Sequence, residues 1–166
     1  RRIRTVKISK FKVVVVVLAL SISLIPFEPA QAATKYPSKI ISLSPSATED
    51  LFALGAGKQV IAVDDNSNYP SEAPISKLSS FNPNVEAIAK YKPDLVIIQN
   101  TATKSAAVVK QLQSLKIATY IEKTPSNLDG LFSELTDLGG LTGKQTKAKM
   151  VINTIKVARL TAIAGA

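Results

Sequence analysis

The chain has 166 residues, with 46% hydrophobic side chains, 21 Lys and Arg against 12 Asp and Glu, and no His, Cys or Trp. Without imidazole or thiol it lacks the common zinc ligands and the Ser-His and Cys-His nucleophile pairs, and no disulfide can support the fold. The net charge of +9 sits largely at one end: six basic residues and one acidic residue precede Ala33, leaving 15 basic against 11 acidic, or +4, with neither a basic run nor the aromatic interleaving of a nucleic-acid groove.

Those six are Arg1, Arg2, Arg4, Lys7, Lys10 and Lys12. They lead into an apolar run from Val13 to Phe27, and Ala30-Gln31-Ala32 then offers small residues at cleavage spacing. This layout predicts a signal peptide over 1–32, since an apolar run of about 15 residues is short of the roughly 20 that span a bilayer. Retention of the leader as a membrane anchor is the competing expectation. The absent Cys gives no site for a lipidated amino terminus in this stretch, which favours a freely diffusing exported protein, expected to be monomeric. Residues 33–166 suffice for one compact domain.

Along 39–122 short β-rich runs alternate with amphipathic segments, the pattern of an α/β fold with a mostly parallel sheet flanked by helices. Strands are predicted at Lys39–Ser44, Gln59–Val63, Asp94–Gln99 and Ile117–Ile121. The third is continuously apolar, as a strand covered on both faces should be. Helices are predicted at Ala47–Leu54, Pro83–Tyr91 and Ser105–Leu115, with Leu51, Leu54, Ile88, Val108, Leu112 and Leu115 as the buried stripe. Ser46-x-x-Glu49 reads as a capping box, Gly55 as a left-handed helix stop, and Asn82-Pro83 as a cap followed by proline at the first helical position. Lys92-Pro93 breaks the chain before the third strand. Ser126 or Asp129 caps a further helix, lined by Leu128, Leu131, Leu135 and Leu138 and ending at Gly139-Gly140. From Lys144 a long helical pattern runs to Ala166 with Ala148, Val151, Ile152, Ile155 and Leu160 on one face, and that face needs a partner.

The junction Lys39–Glu49 carries the chemistry. A strand that runs into a capped turn leaves hydroxyls and amides at the carboxyl edge of a sheet, where open α/β folds bind ligands. Asp64 and Asp65 are adjacent at a strand end and point opposite ways, so they cannot work together on one bond; they read as solvated acids. No glycine-rich phosphate loop is present. No cofactor and no metal site is expected.

Taken together, Ile40-Ile-Ser-Leu-Ser-Pro-Ser-Ala-Thr-Glu-Asp-Leu-Phe-Ala-Leu-Gly55, Val60-Ile-Ala-Val63, Tyr69-Pro70, Asn82-Pro-Asn-Val-Glu86 with Ile88, and Lys92-Pro-Asp-Leu-Val96 resemble the iron-siderophore and vitamin B12 binding proteins of bacterial ABC importers. Each piece is weak alone; the ordered set, from Lys39 to Gly143, is specific. The resemblance implies one lobe of a two-lobed, helix-linked periplasmic binding fold, residues 33–143, then the start of the interlobe helix at 144–166, with the second lobe missing.

It also implies roles. Ser44, Pro45, Ser46, Ala47 and Thr48 match the ligand loop of the first lobe. Asn66, Phe81 and Gln99 match positions that contact the corrin in the B12-binding member, and Glu86 matches the acid that docks onto arginines of the membrane permease. Each residue also has a plainer account: capping explains Ser46 and Glu49, the helix dipole favours Glu86, and Phe81 packs the cleft wall. Asn66 and Gln99 stand where a corrin would be stacked by aromatics, so a polar ferric siderophore fits at least as well as a cobalamin-like ligand. Absent imidazole argues against direct zinc or manganese ligation. The expected function is ligand capture for an ABC permease without bond chemistry. The alternative is a fragment of an α/β enzyme with related lobes, whose catalytic residues lie beyond this stretch.

Overall fold

A computed structural model describes residues 36–100 and 105–165. The leader expected over 1–32 lies outside the described residues. Four strands, β1 (Ile40–Leu43), β2 (Val60–Val63), β3 (Leu95–Gln99) and β4 (Ala118–Glu122), form one parallel sheet in the order β2-β1-β3-β4. The α/β expectation holds.

The helices are α1 (Pro45–Ala53), α2 (Val85–Lys90), α3 (Ser105–Ser114), α4 (Leu128–Thr142) and α5 (Gln145–Ala164), with a 3-10 turn at Gly57–Gln59. Strand alternation divides the core in two. Ile40, Leu95 and Ile97 face Leu51 of α1 and Leu54 at its end, Leu135 and Leu138 of α4 and Ala148 of α5. Ile41, Leu43, Val96 and Ile98 face Ile88 of α2 and Val108 and Leu112 of α3. Every residue of β1 is buried, including Ser42, whose hydroxyl is hydrogen-bonded. β4 is an edge strand and is largely open except at Glu122.

Several boundaries differ from expectation. Helix α1 is capped by Ser44 rather than Ser46: Ser44 Oγ accepts from the Ala47 amide at 3.4 Å, and Pro45 takes the first helical position, where its missing N–H costs nothing. The capping box at Ser46 and Glu49 therefore does not form. Asn82 does not cap α2; Asn84 does, accepting from the Ala87 amide at 2.9 Å, so Pro83 stands outside the helix. Asn127, not Ser126 or Asp129, caps α4.

Helix α4 also runs through Gly139-Gly140 and stops at Gly143, the residue in the left-handed region with φ 74°. The reason is helix crossing. A Cβ built on Gly139 would stand 2.7 Å from the Ala148 Cβ, so the missing side chain lets α4 and α5 approach. Gly55 ends α1 with φ 72°, as expected. Leu115 and Leu160, assigned to buried stripes, are more than half exposed, while Val151, Ile152 and Ile155 pack against the first cluster. Asp64, expected to be solvated, is buried at the end of β2, where its oxygens accept from the Asn66 amide and the Ser67 hydroxyl, both at 2.8 Å.

Candidate functional site

Sheet order fixes where the switch point of the sheet lies, the edge at which open α/β folds bind ligands. The chain steps from β1 outward to β2 and then returns to the other side of β1 for β3, which makes the carboxyl ends of β1 and β3 the switch point of the sheet. The turn Ser44–Thr48 follows one of these ends and Gln99 closes the other. Parallel register brings Asn66, just beyond β2, and Glu122, the last residue of β4, to the same edge.

The turn is fixed from below by hydroxyls. Thr48 Oγ1 lies 2.8 Å from the Ser44 carbonyl, 2.9 Å from Ser42 Oγ and 3.1 Å from Ser67 Oγ, and all four residues are buried. The Thr48–Ser67 contact ties the loop after β2 to the turn after β1, and Ser67 passes its own hydrogen to Asp64. Buried hydroxyls need such partners, so the network leaves the turn little freedom. Ser42 Oγ also reaches the Ser44 carbonyl at 3.2 Å.

Of the expected ligand residues, Ser44, Ala47 and Thr48 are buried and shape the turn, Pro45 is half-buried, and Ser46 is exposed. Asn66 is exposed and its side-chain amide donates to Asp65 at 3.1 Å. Gln99 is half-buried, and Phe81 is exposed in the long connection between β2 and α2. The turn, Asn66 and Gln99 thus share one edge through strand ends, while Phe81 reaches it only by way of that connection. Glu86 is exposed in the first turn of α2, where the helix dipole favours a carboxylate.

A second group at this edge was missed by the sequence reading. Ser46 Oγ donates to Oε1 of Glu122, a side chain with no exposed surface, at the positive end of α1. Asp50 lies close by on α1; burial first, then the charges of Glu122 and Glu49, push its carboxyl up to about 6. On α4, Glu134 is 2% exposed, and burial followed by the Glu122 charge pushes it up to about 7, although the Tyr120 hydroxyl bond opposes this. Tyr120 donates toward Glu134 at 3.2 Å and Asp137 at 3.3 Å, and its own ionisation is driven well upward. Glu122 Oε2 and Glu134 Oε1 are buried without a hydrogen-bond partner among the described residues. The only signal in the sequence was position: a glutamate directly after the predicted strand Ile117–Ile121.

No group of three or more Asp and Glu side chains among the described residues is arranged to hold a metal ion. An apolar cavity of about 340 Å³ lies at the opposite, amino-terminal edge, beside Asp94, Leu95 and Ala118. It is therefore remote from the turn that ends β1.

A family model described as Periplasmic binding protein matches residues 40–163, most of the chain and the whole of this sheet. The chain belongs to that family. An uncharacterized ABC transporter substrate-binding lipoprotein, YvrC of Bacillus subtilis, is 33% identical over 124 residues, covering 74% of this chain and 40% of that one. A vitamin B12-binding protein of Yersinia pseudotuberculosis is 36% identical over 123 residues, covering 73% and 41%. Among solved structures, a periplasmic solute-binding protein of Staphylococcus epidermidis superposes with a TM-score of 0.66 at 29% identity, covering 74% of this chain and 48% of that one. The chain spans about 40% of the length of these two curated relatives of the periplasmic binding protein family.

Proposed function

We propose that this chain is the ligand-capturing lobe of an ABC importer's substrate-binding protein, exported from the cytoplasm, which takes up a ferric siderophore or a cobalamin-like compound and hands it to a membrane permease without altering it. The observation that carries this reading is the turn Ser44–Thr48, pinned by a buried hydroxyl network at the switch point of the sheet, with Ser46, Asn66 and Gln99 at the same edge. A pre-formed polar edge suits capture, because the ordering cost is met in folding rather than on binding. Ser44–Thr48, Asn66, Phe81 and Gln99 form the ligand face in this reading, and Glu86, projecting from α2, docks the permease.

The domain plan proposed with it has a signal peptide at 1–32, the α/β lobe at 33–143, and an interlobe helix from 144 leading to a second lobe. Coverage of less than half of each relative supports that plan. Among the described residues no helix is long and apolar enough to cross a membrane. The enzyme-fragment alternative draws no support from the family or from the relatives' names.

Isothermal calorimetry of the full-length protein against ferric siderophores and corrinoids tests the proposal. Saturable binding of one class is the expected result, and no binding by any member of the panel contradicts it.

A further inference from the structure

The hydroxyl contacts at the Ser44–Thr48 turn follow one direction once Ser46 donates to Glu122. Ser46 Oγ donates to Glu122, and a hydroxyl carries one hydrogen. The 3.1 Å contact between Ser44 Oγ and Ser46 Oγ is therefore donated by Ser44, which in turn accepts from the Ala47 amide. Hydrogens run from Ser44 to Ser46 to Glu122. What Ser46 turns outward is a lone pair, so toward a solute it accepts and does not donate.

Glu122 is well suited to hold that direction. It is fully buried, it receives the Ser46 hydroxyl on one oxygen, and its second oxygen has no partner among the described residues. Asp50 of α1 and Glu134 of α4 interact with it directly; Glu49 acts on Asp50, Tyr120 of the same strand bonds Glu134 and Asp137, and Lys123, next in the chain, gives its backbone amide to Glu134. The side chains whose charge interacts with Glu122 directly are both carboxylic acids. Acidic side chains lie behind Ser46, set against the positive end of α1, and they favour its acceptance from a solute donor.

We propose that Glu122 is a positioning residue that locks Ser46 as a hydrogen-bond acceptor, so that the site selects a solute presenting N–H or O–H donors over one presenting carboxylates. This rests on the receptor reading above and deepens it. The buried acids add a pH dependence: Asp50 and Glu134 gain charge as pH rises through about 6 and about 7, which adds negative charge behind Ser46. A donor-bearing solute is thus held more tightly at alkaline than at mildly acidic pH.

The test titrates three probes into full-length wild type, Ser46→Ala and Glu122→Gln across about pH 5.5 to 8.5, with thermal melts to confirm folding. Cyanocobalamin and ferrioxamine B carry amide donors; haemin carries carboxylates and no free N–H. Wild type is expected to bind at least one donor probe several-fold more tightly at the upper end of that range, with haemin at least about tenfold weaker, the equivalent of one good hydrogen bond. Glu122→Gln keeps the shape but can turn an amide N–H to Ser46 and reverse the chain, so it should lose about tenfold in affinity and flatten the pH profile; Ser46→Ala should lose a similar factor. A Glu122→Gln protein with wild-type affinity and wild-type pH profile overturns the positioning role and leaves the receptor reading standing. Haemin binding more tightly than both donor probes overturns the solute class alone. If Glu122→Gln does not fold, unchanged affinity in Ser46→Ala overturns the proposal, because Ser46 is exposed and its loss cuts the chain at the surface. Failure of every probe on wild type overturns both readings.

Discussion

Thr48 is the hub of the Ser44–Thr48 turn. Its hydroxyl meets the Ser44 carbonyl, Ser42 Oγ and Ser67 Oγ within 3.1 Å in a site closed to solvent. Thr48→Val keeps the volume and removes all three contacts, leaving buried acceptors short of a donor. It should lower stability by about 1–3 kcal/mol in denaturant titration, and an unchanged midpoint would show that the network is dispensable. Asp50 and Glu134 make a second prediction. Each binds its proton more tightly folded than unfolded, so their stabilising contribution is complete at acidic pH. It is lost as pH rises from the ordinary carboxylate range through about 6 for Asp50 and about 7 for Glu134. Glu134→Gln should flatten that decline and raise the melting temperature near pH 8 by a few degrees while changing little near pH 5. A lowered melting temperature at both pH values would contradict the assignment.

At the scale of elements, the two glycines within α4 separate packing from propensity. A Cβ on Gly139 meets the Ala148 Cβ at 2.7 Å, whereas one on Gly140 meets nothing within 4 Å. Gly140→Ala should stabilise by about 0.5–1 kcal/mol through helix propensity alone. Gly139→Ala should destabilise by about 1–3 kcal/mol despite the same propensity gain, because α4 and α5 must part. Equal effects from the two, read by chemical denaturation, would refute the close crossing. The same pair shows why helix ends were less legible than strands. The buried strand β3 announces itself by a continuous apolar run, but Gly139-Gly140 looked like a stop because nothing local reveals Ala148. Proline misled in both directions: Ser44-Pro45 starts a helix at the proline, whereas in Asn82-Pro83-Asn84 the cap is the residue after it. The candidate turn was legible, since its chemistry lies within one short segment. Glu122, Asp50 and Glu134 were not, since they come from three elements and become a cluster only when α1, β4 and α4 pack.

For the whole molecule, the proposed division of labour sets the ligand edge apart from the docking surface. Glu86 is exposed on the first turn of α2, outside the hydroxyl network and the buried acid cluster. Glu86→Ala should leave solute affinity within about twofold, the usual range for an exposed substitution, while transport through the permease falls. Equal loss of affinity and transport would refute the docking role. The measurement that bears most directly on the account is a crystal structure of the full-length protein with its solute bound. The account predicts a solute donor within hydrogen-bond distance of Ser46 Oγ, with Asn66 and Gln99 beside it. A solute seated elsewhere, with Ser46 still open to solvent, would contradict it.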